Sequence, residues 1–222
     1  MGSRQSERDA AVDSRLPIAD TRLPAFSAGM RIGLFGGSFD PPHAGHVEVS
    51  LVALRTLRLD QVWWLVSPQN PLKPNAPSSD LSRRIAAARA IARIPDIRVT
   101  GVEAMLGTTW TAETLRLLLP RLGGVDCVWM MGADNLAGFH RWRDWRAIAG
   151  MLPIAVFNRP GSALRALSSP AARALWRFRH DARDAQSLAG TPPPAWVFLP
   201  SPHVPLSSTE LRALAKSRVS AS

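Results

Sequence analysis

Residues 33–46 read GLFGGSFDPPHAGH, and this block constrains the chain more than any other: an apolar run passes through paired glycines into two histidines three positions apart. Met30, Arg31, Ile32, Leu34 and Phe35 predict a short buried strand. Gly36 and Gly37 predict a sharp turn at which the backbone can approach a ligand closely. Pro41 and Pro42 suit a bend and a helix start, and Val47, Leu51 and Leu54 follow at helical spacing, so His43 and His46 fall on one face of the first turns. A helix start offers unpaired amide N–H groups and the positive end of the dipole, to which two imidazoles add donors. Either histidine alone reads as a satisfied polar group near a strand end. Together with the glycines, Ser38, Asp40 and the prolines, the pair reads as a phosphate site. The GxGxxG spacing and the GKS or GKT ending are both absent from the block, which separates it from the dinucleotide and P-loop fingerprints.

Behind this block the pattern alternates as a parallel sheet with crossover helices requires. Strands are expected at 62–66, 97–102, 125–131, 154–157 and 196–199, and helices at 81–94, 112–119, 145–151 and 171–179. Ligands of such a sheet bind outside the carboxyl ends of the strands, where the order of strands reverses. The chain has 222 residues, which suits one α/β domain over 30–222 with a small C-terminal helical subregion. Residues 1–29 are polar and charge-mixed, and they predict a flexible extension. Glu7, Asp9, Asp13 and Asp20 argue against a transit peptide, and the opening MGSRQS matches only a loose myristoylation pattern. A translation start at Met30 is compatible with this reading.

No apolar run reaches about 18 residues, so no membrane span is expected. The single Cys127 cannot form an internal disulfide, and a reducing cytoplasm is the expected home. Lys and Arg total 27 against 17 acids, a net charge of +10. That field attracts polyanions, and the basic residues are dispersed, so substrates bearing several phosphates are a better match than nucleic acid. The proline-rich stretch 67–80 predicts a stiff excursion carrying Lys73. In PLSSTELR (205–212), Ser207 and Glu210 stand in capping-box register, and Ser208, Thr209 and Arg212 add a second anion-binding helix start. Self-association into a homo-oligomer is left open.

The first block resembles the HxGH signature of the nucleotidyltransferase superfamily. Three further segments narrow the resemblance: MGADN at 131–135, FHRWRDW at 139–145 and PLSSTELR at 205–212. In this order they resemble the bacterial nicotinate-nucleotide adenylyltransferases over about 30–215. The resemblance implies a Rossmann-like fold, a doubly wound parallel sheet with helices on both faces. It also implies transfer of the adenylyl group of ATP to nicotinate mononucleotide, giving deamido-NAD and pyrophosphate. Gly36, Gly37, Ser38 and Phe39 would line the nucleotide crevice, and Gly132 and Asp134 would bind nucleotide through ribose hydroxyls. Lys73, Ser208, Thr209 and Arg212 would hold the triphosphate. Trp142 would stack on the pyridine ring with Trp110 as a second wall, and backbone amides near Thr111 and Arg143 would hold the nicotinate carboxylate.

The implied mechanism is in-line attack by the acceptor phosphate on the α-phosphorus, with catalysis by positioning and charge stabilisation. His46 would contact the α-phosphate with His43 beside it, while Lys73 and Arg212 offset charge on pyrophosphate. Magnesium would ride on the phosphates, since no Asp/Glu cluster marks a dedicated cage. Two alternatives are weaker. Pantetheine-phosphate adenylyltransferases share the first motif but are typically shorter and lack the tryptophan-bearing segment, and the other is an inactive basic nucleic-acid-binding module. Trp63, in mid-strand, belongs to the core on this reading.

Overall fold

The first apolar run forms β1 (Arg31–Gly37), a central strand in a computed structural model that describes residues 22–68, 80–158 and 162–200. With it stand β2 (Gln61–Val66), β3 (Ile97–Thr100), β4 (Asp126–Gly132), β5 (Ile154–Phe157), β6 (Arg179–His180) and β7 (Trp196–Leu199). They make one sheet in the order β3-β2-β1-β4-β5-β7-β6, and every pairing is parallel. The sheet grows from β1 in one direction through β3 and from β4 in the other. The strand order therefore reverses between β1 and β4, as in a doubly wound Rossmann-like fold.

Period-two alternation along the strands feeds two cores. On one face Leu34, Trp63, Trp129, Met131 and Val156 pack with α4 (Thr111–Leu118) and α6 (Trp145–Met151). On the other, Phe35, Trp64, Met130 and Phe157 pack with α1 (Ala44–Thr56), α2 (Leu81–Ile91) and the 3-10 run Ala182–Gly190. Trp63 is fully buried as expected, and so is its neighbour Trp64. Among the described residues no helix is long and apolar enough to cross a membrane.

Several boundaries differ from expectation. The strand expected at 97–102 stops at Thr100, because Gly101 caps a short helix α3 (Val102–Leu106) and Val102 is buried as a helical residue. The helix expected at 81–94 ends at Ile91, ahead of Pro95, which disfavours helical backbone in the residue before it. The helix expected at 171–179 breaks into α8 (Pro170–Ala174), a 3-10 turn Trp176–Phe178 and β6. There the Arg179 guanidinium lies 5.5 Å from the Trp196 ring centroid and 5.9 Å from that of Phe198. Two more short helices, α5 (Ala133–Gly138) and α7 (Ala163–Leu167), span too few residues to show a period. Packing also begins ahead of the boundary placed at residue 29. Thr100 Oγ1 donates to the Arg22 carbonyl at 3.0 Å, Gln61 Nε2 to the Ala25 carbonyl at 3.2 Å, and the Phe26 ring meets Trp63 edge-on at 5.9 Å.

Gly36 and Gly37 do not make the expected sharp turn. Both complete β1, and the left-handed residue comes at Phe39, with φ +46°. Gly36 is required by packing instead, since a Cβ there would stand 2.5 Å from Cη2 of Trp129. Gly36→Ala is expected to destabilise the fold by about 1–3 kcal/mol, the usual cost of overpacking, read as a lower denaturant midpoint with an unchanged m value.

Candidate active site

β1 and β4 run side by side and leave the sheet together at the point where strand order reverses. β1 continues through Ser38–Pro42 into α1, and β4 continues directly into α5. His43 is the N-cap of α1, in extended backbone at φ −149°, ψ 168°. Its backbone N–H donates to Nδ1 of His46 at 3.2 Å, and the two rings lie 3.9 Å apart. Because Nδ1 of His46 accepts, a neutral His46 ring carries its proton on Nε2 and offers that N–H as a donor.

Aromatic rings back the histidine pair. Phe39 lies 4.9 Å from the His46 ring and stacks on Trp64 at 4.9 Å and 11°. Trp64 Nε1 donates to Ser50 Oγ at 2.8 Å, and Ser50 Oγ donates to the His46 carbonyl, also at 2.8 Å. Phe39 acts through its side chain: its burial supports the positive φ, and its ring packs behind His46. Ser50 and Trp64 were not singled out from sequence, although Ser50 stands one helical turn after His46.

Two arginines open α2, and only one of them faces solvent. Arg83 is exposed, but Arg84 is 1% exposed and points inward. Its Nη1 donates to the carbonyls of Ser38 at 2.8 Å and Ser67 at 2.7 Å, and its Nη2 donates to that of Pro68 at 2.9 Å. One guanidinium therefore fastens the turn after β1 to the end of β2. Burial depresses its pKa, and the carboxylates of Asp40, Asp80 and Glu103 oppose that shift. Glu103, in α3, is also buried; desolvation pushes its carboxyl up to about 7 against hydrogen bonds from Ser67 and Thr114 and the Arg84 charge. Thr114 Oγ1 lies 3.5 Å from Glu103 Oε1 and 2.8 Å from Thr108 Oγ1.

On the other face, Trp110 caps α4 and Thr111 is its first residue. Trp142 is half-buried, held edge-on by Phe139 at 5.4 Å and Trp129 at 6.4 Å. Arg143 lies 5.5 Å from the Trp110 ring centroid and pairs with Glu113 at 3.4 Å, while Arg116 pairs with Asp144 at 2.9 Å. Two exposed ion pairs thus join α4 to the turn bearing Trp142. Gly132 is the N-cap of α5, and Asp134 is exposed in the first turn of that helix. The structure therefore gathers Gly36, Gly37, Ser38, Phe39, His43 and His46 at the end of β1, and Gly132 and Asp134 at the end of adjacent β4. Trp110 and Arg143 come together across α4. Lys73, Ser208, Thr209 and Arg212 lie outside the described residues.

Residues 34–214 match the cytidylyltransferase-like family. Over 85% of its length the chain is 56% identical to a Cereibacter sphaeroides protein named "Probable nicotinate-nucleotide adenylyltransferase", all of which is covered. A Rhizobium meliloti protein of the same name is 54% identical over 83% of this chain and 98% of its own length. The fold is similar to that of Plasmodium falciparum nicotinic acid mononucleotide adenylyltransferase, solved in complex with APC and with NaAD. Each comparison gives a TM-score of 0.60 over 83% of both chains, at 14% and 15% identity.

The buried Glu103 makes stability depend on pH. Its folded-state pKa lies above the ordinary 4.5, so the proton is bound more tightly in the folded chain. The contribution is present in full below pH 4.5 and is lost as pH rises through about 7. At about 1.4 kcal/mol per pKa unit, this group alone is expected to lower the unfolding free energy by about 3 kcal/mol between those limits. Denaturant unfolding of the parent and of Glu103→Gln at acid and neutral pH measures it: the parent should lose the larger amount.

Proposed function

The chain belongs to the nicotinate-nucleotide adenylyltransferases of the cytidylyltransferase-like family, and from that membership we infer that it transfers the adenylyl group of ATP to nicotinate mononucleotide, yielding deamido-NAD and pyrophosphate for NAD biosynthesis. The observation that carries the reading is the histidine pair at the start of α1, beside the β1–β4 reversal and backed by Phe39 and Trp64. A triphosphate laid across that helix start meets backbone amides, the positive end of the dipole and the Nε2 proton of His46.

The acceptor phosphate oxygen forms a bond to the α-phosphorus in line with the bond to the β-phosphate, which breaks to release pyrophosphate. The attacking group is already an anion, so no general base is needed. His46 donates to the α-phosphate oxygens, where charge gathers, and His43 supports it from the cap position. Lys73, Ser208, Thr209 and Arg212 hold the leaving pyrophosphate in this proposal. Gly132 and Asp134 receive ribose hydroxyls, and Gly36, Gly37 and Ser38 line the crevice floor.

Trp142 stacks on the pyridine ring and Trp110 closes its other side. Amides near Thr111 and Arg143 take the nicotinate carboxylate, which accepts two donors where a carboxamide presents its own N–H. A magnesium ion carried by the ATP would neutralise part of the phosphate charge. Magnesium commonly keeps waters and binds substrate phosphate oxygens, and it would be held in that way here. The lone, buried Cys127 fits a reducing cytoplasm.

Pyrophosphate release from ATP with nicotinate mononucleotide, run beside the amide analogue, tests the assignment. Turnover should favour the acid, and no release with the acid would overturn it. His46→Ala is expected to lower kcat by about a hundredfold or more while the folded structure is retained, as read by circular dichroism. Trp142→Ala should instead weaken the mononucleotide by about 1–3 kcal/mol, read as a higher KM for that substrate and an unaltered KM for ATP.

A further inference from the structure

Among the described residues the hydrogen-bond partners of the Glu103 carboxyl are Ser67 and Thr114, neither of them assigned to substrate, yet it sits where the two halves of the site are joined. On one side its carboxylate accepts from Ser67, at the end of β2, and Ser67 shares the Arg84 guanidinium with Ser38 in the turn after β1. On the other side Oε1 accepts from Thr114, whose hydroxyl also contacts Thr108 and lies 3.3 Å from the Trp110 carbonyl. The Thr108 backbone N–H donates to the Glu103 carbonyl at 3.0 Å, closing the Gly107–Trp110 turn onto the same residue. Glu103 is 3% exposed, and its Oε2 has no partner among the described residues. A buried carboxylate would be stabilising neither alone nor beside apolar neighbours, so its placement calls for a role beyond packing.

We propose that Glu103 is a positioning residue for the acceptor subsite: as an acceptor for both Ser67 and Thr114 it fixes the start of α4, and with it Trp110 and Thr111, relative to the phosphate turn that Arg84 holds. The proposal rests on the adenylyl transfer inferred above. The ionised carboxylate accepts these hydroxyl bonds more strongly than its neutral form does, so protonation weakens the link to α4. The charged group acting on Glu103 among the described residues is Arg84, on which Asp40 and Asp80 act in turn. Its raised pKa puts the change of state near neutral pH. Acceptor binding should therefore weaken as pH falls through neutrality, while ATP binding, set by α1, should not.

The test measures KM for nicotinate mononucleotide and for ATP from pH 6 to 8 in the parent, Glu103→Gln and Thr114→Val, with tryptophan fluorescence titration of the mononucleotide alone as a readout independent of turnover. The parent should lose acceptor affinity towards acid pH. Both variants should raise the mononucleotide KM by about tenfold, leave the ATP KM within a factor of about two, and Glu103→Gln should lose the pH dependence seen in the parent. A parental mononucleotide KM and pH profile in Glu103→Gln would overturn the proposal, as would an equal rise in both KM values. If Glu103→Gln does not fold, the nearly isosteric Thr114→Val decides on the KM split. A parent that binds the mononucleotide with this pH dependence but releases no pyrophosphate would sink the inferred reaction and leave the positioning role standing.

Discussion

The reversal of strand order between β1 and β4 is the constraint on which the rest of the structure depends. Parallel strands need crossovers, and crossovers that wind outward in opposite directions place α1 and α2 on one face and α4 and α6 on the other. Between the two sets lie the carboxyl ends of β1 and β4, with a helix beginning at each. Trp129 fills the seam by lying against Gly36, so a side chain at residue 36 would strain the junction at which the two strands end side by side. The helix start on which the proposed phosphate site rests is thereby built into the topology rather than added to it.

Positive potential alone does not orient an imidazole. Here orientation comes from the apolar side: Phe39, in a left-handed conformation that an ordinary side chain adopts only when held, stacks on Trp64 and leaves His46 one direction to face. The hydroxyl of Ser50 ties Trp64 to the helix that carries the histidine. A residue in the strand, one in the turn and one a helical turn beyond thus share one task, and a core-facing tryptophan becomes part of the proposed phosphate site.

Arg84 and Glu103 set stability against placement. Each is a charge taken out of water, and both pKa values move in the direction that disfavours the charged form. The fold would be more stable with the carboxyl protonated, whereas the links to Ser67 and Thr114 are stronger to the carboxylate. Sites that hold substrates in line tolerate such local costs because the surrounding core over-determines the geometry.

The sequence by itself determined the parallel α/β architecture, the strand-to-helix block that carries both histidines, and the membership that fixes the chemistry. These rest on local spacing: alternating apolar residues, a helical repeat after the prolines, and four separated motifs in order. It misplaced short elements, such as the helix beginning at Val102 and the broken segment after Ala174, because a few residues carry no period and packing against Trp196 and Phe198 decides their shape. Only the tertiary structure decided that Gly36 serves a tryptophan rather than a turn, and that Arg84 points inward while Arg83 faces solvent. It alone brought Glu103 between two subsites. The physical reason is common to all three: a side chain's role at a buried crossing depends on partners distant along the chain, and local pattern carries no record of which strands will be neighbours.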